Sequence, residues 1–160
     1  MATLGHMLEA GQEAPDFDLA TGAGERVKLS ELRGKPVVLY FYPKDDTPGC
    51  TAEACQFRDA YGEFRARGAE ILGVSPDDEA SHAKFAEKFS LPFPLLADPD
   101  HAVAEAYDVW REKKNYGKTY MGILRSTFVI GADGSIEQAM YGVKADGHPE
   151  KVLAALQSSA

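Results

Sequence analysis

Hydrophobic residues in this chain occur in short continuous runs, separated by longer segments in which they recur with the period of a helix. A continuous run rich in β-branched and aromatic residues predicts a strand that is buried on both faces. Residues 36–42 and 69–75 form such runs, and residues 93–97 form a shorter one. These runs predict the strands of a central sheet.

Helical spacing of apolar residues predicts the segments between these strands. The clearest helix covers residues 48–67, where Phe57, Tyr61 and Phe64 share one face and Gly68 ends the helix. Three further helices are predicted at residues 77–89, 100–107 and 149–157, and a short helical turn capped by Ser30 at residues 31–34.

Two hairpins are predicted from alternating or β-rich segments on either side of glycine-containing turns. The first has strands at residues 14–19 and 26–29, and the second at residues 125–130 and 136–141. Residues 110–122 show neither the spacing of a helix nor the alternation of a strand, and they are predicted to be irregular.

The order of these elements predicts an α/β fold. Strands that alternate with helices indicate a central, mixed and largely parallel sheet with helices on both faces, preceded by an N-terminal β-hairpin and finished by an antiparallel one. We expect residues 8–160 to form a single domain, because this length closes one hydrophobic core. Residues 1–7 contain Gly-His-Met and are expected to be a remnant of cloning or disordered.

The composition limits the class of function. The 160 residues carry a formal net charge of −8, whereas nucleic acid and anionic membranes are bound by cationic faces. No apolar run reaches the ~20 residues that span a bilayer, and no basic segment precedes an apolar core at the N-terminus. We therefore expect a cytoplasmic protein that binds neither. Its two cysteines are expected to be redox-active or metal-binding rather than structural.

Both cysteines follow the junction between the strand at 36–42 and the helix at 48–67. Thr47 precedes Pro48, and a residue before proline avoids the α region, while proline is well accepted at the first helical position. Thr47 is therefore predicted to be the N-cap, and Cys50 the third helical residue. The Thr47 hydroxyl is expected to accept a hydrogen bond from the Cys50 amide, and the helix dipole to favour a thiolate there.

A stable thiolate at Cys50 requires a cation as well. A free thiol has a pKa of about 8.5, and lowering this to roughly 6 needs about 3.4 kcal/mol, of which the helix end contributes about 1–2. Lys44 is expected to be exposed and opposed by Asp45 and Asp46. Arg125, at the head of an apolar strand, is the better candidate because its planar guanidinium suits a sulfur anion and an oxygen substrate together.

Some residues in this region have simpler interpretations. Arg125 alone is compatible with an ordinary surface charge. Cys55, at an interior helix position, is compatible with a small buried hydrophobe. Glu53 would oppose a thiolate unless it is engaged elsewhere, for example in orienting an arginine.

The five-residue spacing of the cysteines has a structural consequence. In one regular helix, five residues give ~7.5 Å of rise and ~140° of rotation, so the two α-carbons are ~8.6 Å apart. A disulfide needs about 4.4–6.8 Å, so a Cys50–Cys55 bond requires the helix to unwind. A zinc site is disfavoured by this spacing. The histidines form no ligand-spaced pair and are expected to be solvated surface residues: His6, His82, His101 and His148.

The residues around the two cysteines, together with other segments of the chain, resemble the peroxiredoxins. The resemblance rests on an active-site signature and on segments spread over nearly the whole chain. The signature is Pro43-x-x-x-Thr47-x-x-Cys50 followed by Thr51 and Glu53, and Cys55 with Tyr40-Phe41-Tyr42-Pro43-Lys44-Asp45 is similar to the bacterioferritin comigratory protein (PrxQ) subgroup. Further matching segments are 14–17, 73–75, 93–96, 116–117 and 125–128.

The resemblance implies a thioredoxin-like fold and a set of catalytic roles. Cys50 would be the peroxidatic nucleophile, and Thr47 would hydrogen-bond its sulfur and the peroxide oxygens. Arg125 would lower the thiol pKa and polarise the O–O bond. Pro43 would shield the sulfur from water, and Glu53 would help to orient the arginine.

The resemblance also implies how the cycle is completed. Hydrogen peroxide and organic hydroperoxides would be reduced without a metal or prosthetic group, Cys55 would be the resolving cysteine, and thioredoxin would reduce the resulting disulfide. The subgroup favours a monomer. Two alternatives remain open from the residues alone. One is a general thiol–disulfide oxidoreductase, which normally carries C-x-x-C, and the other is a non-catalytic module in which the cysteines form a structural disulfide.

Overall fold

A computed structural model describes residues 7–158 of the chain. The expectation for the cloning remnant therefore lies, apart from Met7, outside the described residues. The strands in chain order are β1 (Asp18–Ala20), β2 (Arg26–Lys28), β3 (Val37–Phe41), β4 (Glu70–Ser75), β5 (Leu95–Ala97), β6 (Trp110–Asn115), β7 (Lys118–Ile123), β8 (Ser126–Ile130) and β9 (Ile136–Tyr141). The α-helices are α1 (Pro48–Asp59), α2 (Tyr61–Ala66), α3 (Glu79–Phe89), α4 (Ala102–Ala106) and α5 (His148–Ser158), and a 3-10 helix covers Leu29–Leu32.

A five-stranded mixed sheet with the order β5-β4-β3-β8-β9 forms the centre of the molecule. Strand β3 pairs in parallel with β4, and β4 in parallel with β5, whereas β8 runs antiparallel to both β3 and β9. The predicted α/β class, the mixed sheet, the N-terminal hairpin β1–β2 and the closing hairpin β8–β9 are confirmed. The expectation that the sheet is largely parallel is wrong, because β8 and β9 add two antiparallel pairs to the two parallel ones. The sheet places the end of β3 beside the start of β8.

Strand β3 is buried along its whole length and separates two hydrophobic clusters. Alternate residues of a strand point to opposite faces, so Leu39 and Phe41 belong to one cluster, and Val38 and Tyr40 to the other. The second cluster also contains Cys50 and the buried face of α1. The helix that carries both cysteines is therefore fixed against the middle of the sheet.

The single helix predicted at residues 48–67 is wrong, because two helices occupy this segment. The break lies at Ala60, whose φ of −95° and ψ of 3° are not helical. The N–H of Ala60 donates to the carbonyl of Gln56 in α1, and its carbonyl accepts from the amide of Phe64 in α2. The chain therefore passes from one helix to the next at Ala60 itself, which is neither a glycine nor a proline. Both cysteines lie in α1.

The prediction that residues 110–122 are irregular is also wrong. They form the antiparallel hairpin of β6 and β7, in which Lys113 pairs with Tyr120. This two-stranded ribbon is open to solvent over most of its length, and Tyr116 at its tip is 96% exposed. Because neither face is covered along most of the ribbon, the sequence lacks the alternation by which a half-buried strand is recognised.

Smaller differences concern the ends of elements. Ser30 lies within the 3-10 helix, for which Lys28 is the N-cap residue, and it does not cap the turn. Helix α3 begins at Glu79, because the Asp78 side chain accepts a hydrogen bond from the amide of Ser81 and so acts as the N-cap. Within residues 7–158, no helix combines the length and the apolar character needed to cross a membrane.

Candidate active site

Cys50 lies at the start of α1, directly after the loop that follows β3. Thr47 has extended backbone angles (φ −99°, ψ 156°) and is the N-cap residue, and Pro48 is the first helical residue. Cys50 is therefore at the third helical position, as the sequence predicts. Its side chain is 2% exposed, so the sulfur is surrounded by protein groups that can control its ionisation.

The Thr47 side chain does not cap the helix, contrary to the prediction. Its hydroxyl donates to the carbonyl of Lys44 at 2.9 Å and closes the turn before α1. Within the described part of the chain, the amides of Gly49 and Cys50 have no hydrogen-bond partner, and the first helical bond runs from the Thr51 amide to Thr47. Two amide donors are thus left at the positive end of the helix, where an anion or a polar oxygen is favoured.

Arg125 contacts the sulfur directly. Its Nη2 donates to Sγ of Cys50 at 3.2 Å. Arg125 immediately precedes β8, and the pairing of Ser126 with Phe41 brings it beside the loop that leads out of β3. Two residues that are 75 apart in sequence are therefore brought together by one antiparallel strand pair.

Glu53 holds the other side of the guanidinium. Nη1 of Arg125 donates to Oε1 of Glu53, whose side chain is fully buried. Burial raises the pKa of Glu53 to about 7, even though the charge and hydrogen bond of Arg125 lower it. Burial lowers the pKa of Arg125, but Glu53 and Cys50 outweigh this effect and raise it. The second carboxylate oxygen of Glu53 has no hydrogen-bond partner in the described structure.

The remaining candidates surround this centre. Pro43 and Thr47 are half-buried in the loop between β3 and α1, and Lys44 is exposed, as expected. Gly49 was missed by the sequence reasoning. A Cβ at Gly49 would lie 3.3 Å from Nη2 of Arg125, so the absence of a side chain lets the guanidinium approach the helix start.

Cys55 lies in the same regular helix as Cys50, and its side chain is half-buried. Both cysteines are free. With the geometry of a regular helix, their α-carbons are ~8.6 Å apart, too far for a disulfide without backbone movement. The reduced protein therefore holds the two thiols in positions from which they cannot react with each other.

The prediction that the histidines are solvated is wrong for His82 and His148, which are 0% and 3% exposed. Both can be buried because protein groups form hydrogen bonds with their ring nitrogens. His82 lies between Asp45 and a backbone carbonyl, and Nε2 of His148 lies 2.7 Å from the hydroxyl of Thr127. Burial, assisted by Lys151 and Arg125, lowers the pKa of His148 to about 4.

The other two histidines, His101 and His6, are not among those found to be buried. His101 is partly exposed and stacks on Trp110 with ring centroids 4.0 Å apart. The expectation for His6 lies outside the described residues.

The chain matches a known protein family over most of its length. The model of the AhpC/TSA family matches residues 10–139. The chain belongs to this family. It is 53% identical over 150 residues to Peroxiredoxin Bcp of Bacillus subtilis, covering 94% of this chain and 96% of the relative.

Solved peroxiredoxin structures share the fold. A cysteine-to-serine variant of Xanthomonas campestris peroxiredoxin Q matches with a TM-score of 0.90 and 44% identity, covering 96% of this chain and all of that one. The X. campestris bacterioferritin comigratory protein, studied for alkyl peroxide reduction, matches with a TM-score of 0.89 and 43% identity, covering 94% of this chain and 99% of that one. The fold is thus the thioredoxin-like fold of the peroxiredoxins, and the protein is a thiol-dependent peroxidase of the AhpC/TSA family.

Proposed function

We propose that Cys50 is the residue that attacks the hydroperoxide and that Cys55 resolves the product. The observation that carries this assignment is the 3.2 Å contact between Nη2 of Arg125 and Sγ of Cys50, made at a helix start with two unpaired amides. A guanidinium and amide donors at one sulfur favour its thiolate form, which is the nucleophile. Cys55 has no comparable cation hydrogen-bonded to its sulfur among the described residues.

In the first step the Cys50 thiolate attacks one peroxide oxygen. An S–O bond forms as the O–O bond breaks, and the leaving oxygen takes up a proton to become water or an alcohol. Cys50 is oxidised to a sulfenic acid, and the hydroperoxide is reduced. Arg125 and the amides of Gly49 and Cys50 would stabilise the charge that develops on the oxygens.

The assigned supporting roles follow from position. Thr47 and Pro43 lie half-buried in the loop between β3 and α1 that leads to Cys50, and we assign the Thr47 hydroxyl to contact the peroxide and Pro43 to limit access of water. Glu53 would hold the guanidinium in the orientation that reaches the sulfur. The ion pair between Glu53 and Arg125 supports this last role.

In the second step the Cys55 thiol attacks the sulfenic sulfur, a disulfide forms and water leaves. The first turns of α1 must unwind for this reaction, since a regular helix keeps the thiols apart. An external dithiol then reduces the disulfide by exchange. We assign this role to thioredoxin. We further propose that residues 8–160 act as one domain, as a monomer in the cytoplasm, on hydrogen peroxide and organic hydroperoxides.

Stopped-flow mixing of the reduced protein with peroxide tests the cysteine roles. Cys50→Ser is expected to abolish peroxide consumption. Cys55→Ser is expected to consume one equivalent and accumulate a sulfenic acid that a dimedone adduct reveals by mass. If the Cys55→Ser protein formed no adduct, or if the adduct lay on Cys55 in the wild type, the assignment would be wrong.

A further inference from the structure

Asp45 is the buried anchor of the loop between β3 and α1. It is 7% exposed, and its carboxylate accepts hydrogen bonds from the Tyr42 hydroxyl at 2.6 Å and the Ser81 hydroxyl at 2.7 Å. Nδ1 of His82 lies 2.7 Å from Oδ2 of the same carboxylate. Asp45 lies midway between Pro43 and Thr47 in the sequence, so anchoring its side chain restrains the loop that carries both residues.

His82 has acceptors at both ring nitrogens. Its Nε2 lies 2.9 Å from the carbonyl oxygen of Leu96, which can only accept, so Nε2 carries a proton. Burial would raise the pKa of Asp45, but the hydrogen bonds from His82, Tyr42 and Ser81 and the charge of His82 together lower it. Nδ1 lies 2.7 Å from Oδ2 of Asp45, so a proton lies between these two atoms and hydrogen bonds hold the ring at both ends.

The geometry thus describes a buried histidine–carboxylate pair that is joined by a hydrogen bond. His82 is 0% exposed and lies on α3. A buried charge whose partner is removed is strongly destabilised, so the ring and the carboxylate hold each other in place. The pair connects α3 to the loop that carries the catalytic motif.

The backbone of the loop is fixed by the same cluster. The amide of Asp45 donates to Oδ2 of Asp77 at 2.8 Å, and that oxygen also accepts from the hydroxyl of Ser75 at the end of β4. Asp45, Asp77 and His82 bring potential metal ligands within 4.8 Å of one another. Hydrogen bonds within the protein already satisfy these groups, so the arrangement is explained without an ion.

We infer that His82 is a positioning residue for the reaction at Cys50, acting through Asp45 on the loop that carries Pro43 and Thr47. This inference rests on the proposed role of Cys50. The physical reason is that the Cys50 amide, Thr47 and Arg125 must converge on one small oxygen substrate. A displacement of about 1 Å in such an arrangement can cost about a hundredfold in rate.

The test uses His82→Gln, Asp45→Asn and the double variant in the full chain. Glutamine has a single amide nitrogen and cannot replace the hydrogen bonds of His82 with both Asp45 and the Leu96 carbonyl. His82→Gln is therefore expected to slow sulfenic acid formation at Cys50 by about tenfold or more. Because both residues act through one contact, the double variant is expected to be no slower than the slower single variant. A wild-type rate in His82→Gln, or losses that multiply in the double variant, would overturn the inference.

Two further variants separate positioning from general stability. Ile136→Val removes buried volume on β9, in the hydrophobic cluster that does not contain Cys50, and is expected to lower the unfolding midpoint while the peroxide rate stays at the wild-type value. Ser81→Ala removes one donor to Asp45 and is expected to slow the reaction less than His82→Gln does. If Ile136→Val slowed the reaction as much as His82→Gln at equal loss of stability, positioning would be excluded.

A peroxide-independent readout distinguishes this inference from the proposed function. In a Cys55→Ser background, the alkylation rate of Cys50 by iodoacetamide reports its reactivity directly. We expect His82→Gln to change this rate severalfold even if another oxidant proves to be the substrate. An unchanged alkylation rate would overturn the positioning role, whereas a wild-type protein that is inert to peroxide would overturn the proposed function alone.

Discussion

Gly49 lies directly against the guanidinium of Arg125, where a Cβ would be 3.3 Å from Nη2 and 3.8 Å from the Cβ of Ala145. The same Nη2 donates to the sulfur of Cys50. The residue before the nucleophile therefore controls how closely the cation approaches the helix start. This relationship links a residue of α1 to one that precedes β8.

Gly49→Val is expected to displace the guanidinium and to slow the reaction of Cys50 with peroxide by about tenfold. Gly49→Ala is the matched control. A single methyl group needs the end of a flexible arginine to yield by only a few tenths of an ångström, so this variant should stay within a few-fold of the wild type. Stopped-flow rates for both variants test the contact, and equal rates for Val and Gly would contradict it.

Arg125→Ala is expected to slow the first step by about 10²–10³-fold, as found when one donor to a developing oxyanion is removed. Stopped-flow rates measured across a range of pH give the rate profile of each variant. Arg111→Ala removes the same charge from β6, where Arg111 pairs with Asp108, and should leave the profile unchanged. If the two variants behaved alike, the effect would come from net charge and not from the contact with sulfur.

The raised pKa of Glu53 predicts that the stability of the protein depends on pH. Its pKa is raised from 4.5 to about 7 in the folded protein, so between these values the unfolded chain releases the proton before the native state does. The contribution of Glu53 is fully present below pH 4.5 and is lost as the pH rises through about 7, and at about 1.36 kcal/mol per pH unit the loss is ~3 kcal/mol.

Urea unfolding of the wild type and of Glu53→Gln between pH 4 and pH 8 measures this loss. The free energy of unfolding of the wild type should fall relative to that of the glutamine variant as the pH increases. Parallel curves over the whole range would show that the buried carboxyl does not titrate where its surroundings indicate.

The position of Cys50 in α1 could be predicted from sequence because its causes are local. Thr47 and Pro48 fix the helix start by backbone sterics alone, and Cys50 follows by counting. Arg125 could be named because it heads an apolar strand. The break at Ala60 could not, because alanine is a good helix former and no local residue marks the end of the helix.

The partners of Asp45 could not be predicted from the sequence, for a different reason. The sequence predicts that Asp45 opposes the charge of Lys44, yet Asp45 is buried and paired with a histidine 37 residues away. Such a pair depends on how α3 packs beside the β3–α1 loop, which no periodicity encodes. For the same reason His82 was mistaken for a surface residue.

The extent of unwinding on oxidation can be predicted from the contacts of α1. Gln56 exchanges two hydrogen bonds with Asp146 and Gly147, at 2.7 and 2.8 Å, and Arg58 donates to the carbonyl of Phe89 at 2.8 Å. These contacts fix the second half of the helix. Among residues 7–158, the first half of α1 makes no comparable side-chain contact beyond those of Cys50 and Glu53 with Arg125.

Amide hydrogen exchange in the reduced and disulfide forms tests this boundary. Oxidation should accelerate exchange over residues 48–55 and leave protection from Phe57 onwards nearly unchanged. In Gln56→Ala the accelerated region should extend further along α1. Equal protection of the two redox forms across residues 48–55 would contradict unwinding.

The separation of the two thiols within α1 also affects the fate of the oxidised nucleophile. Because Cys55 reaches the sulfenic acid only when the first helical turns are open, the local free energy of opening sets the lifetime of that intermediate. A longer-lived intermediate meets a second peroxide molecule more often and is converted irreversibly to a sulfinic acid. A more stable first turn would therefore make this enzyme more prone to overoxidation, even though it holds the thiolate more firmly.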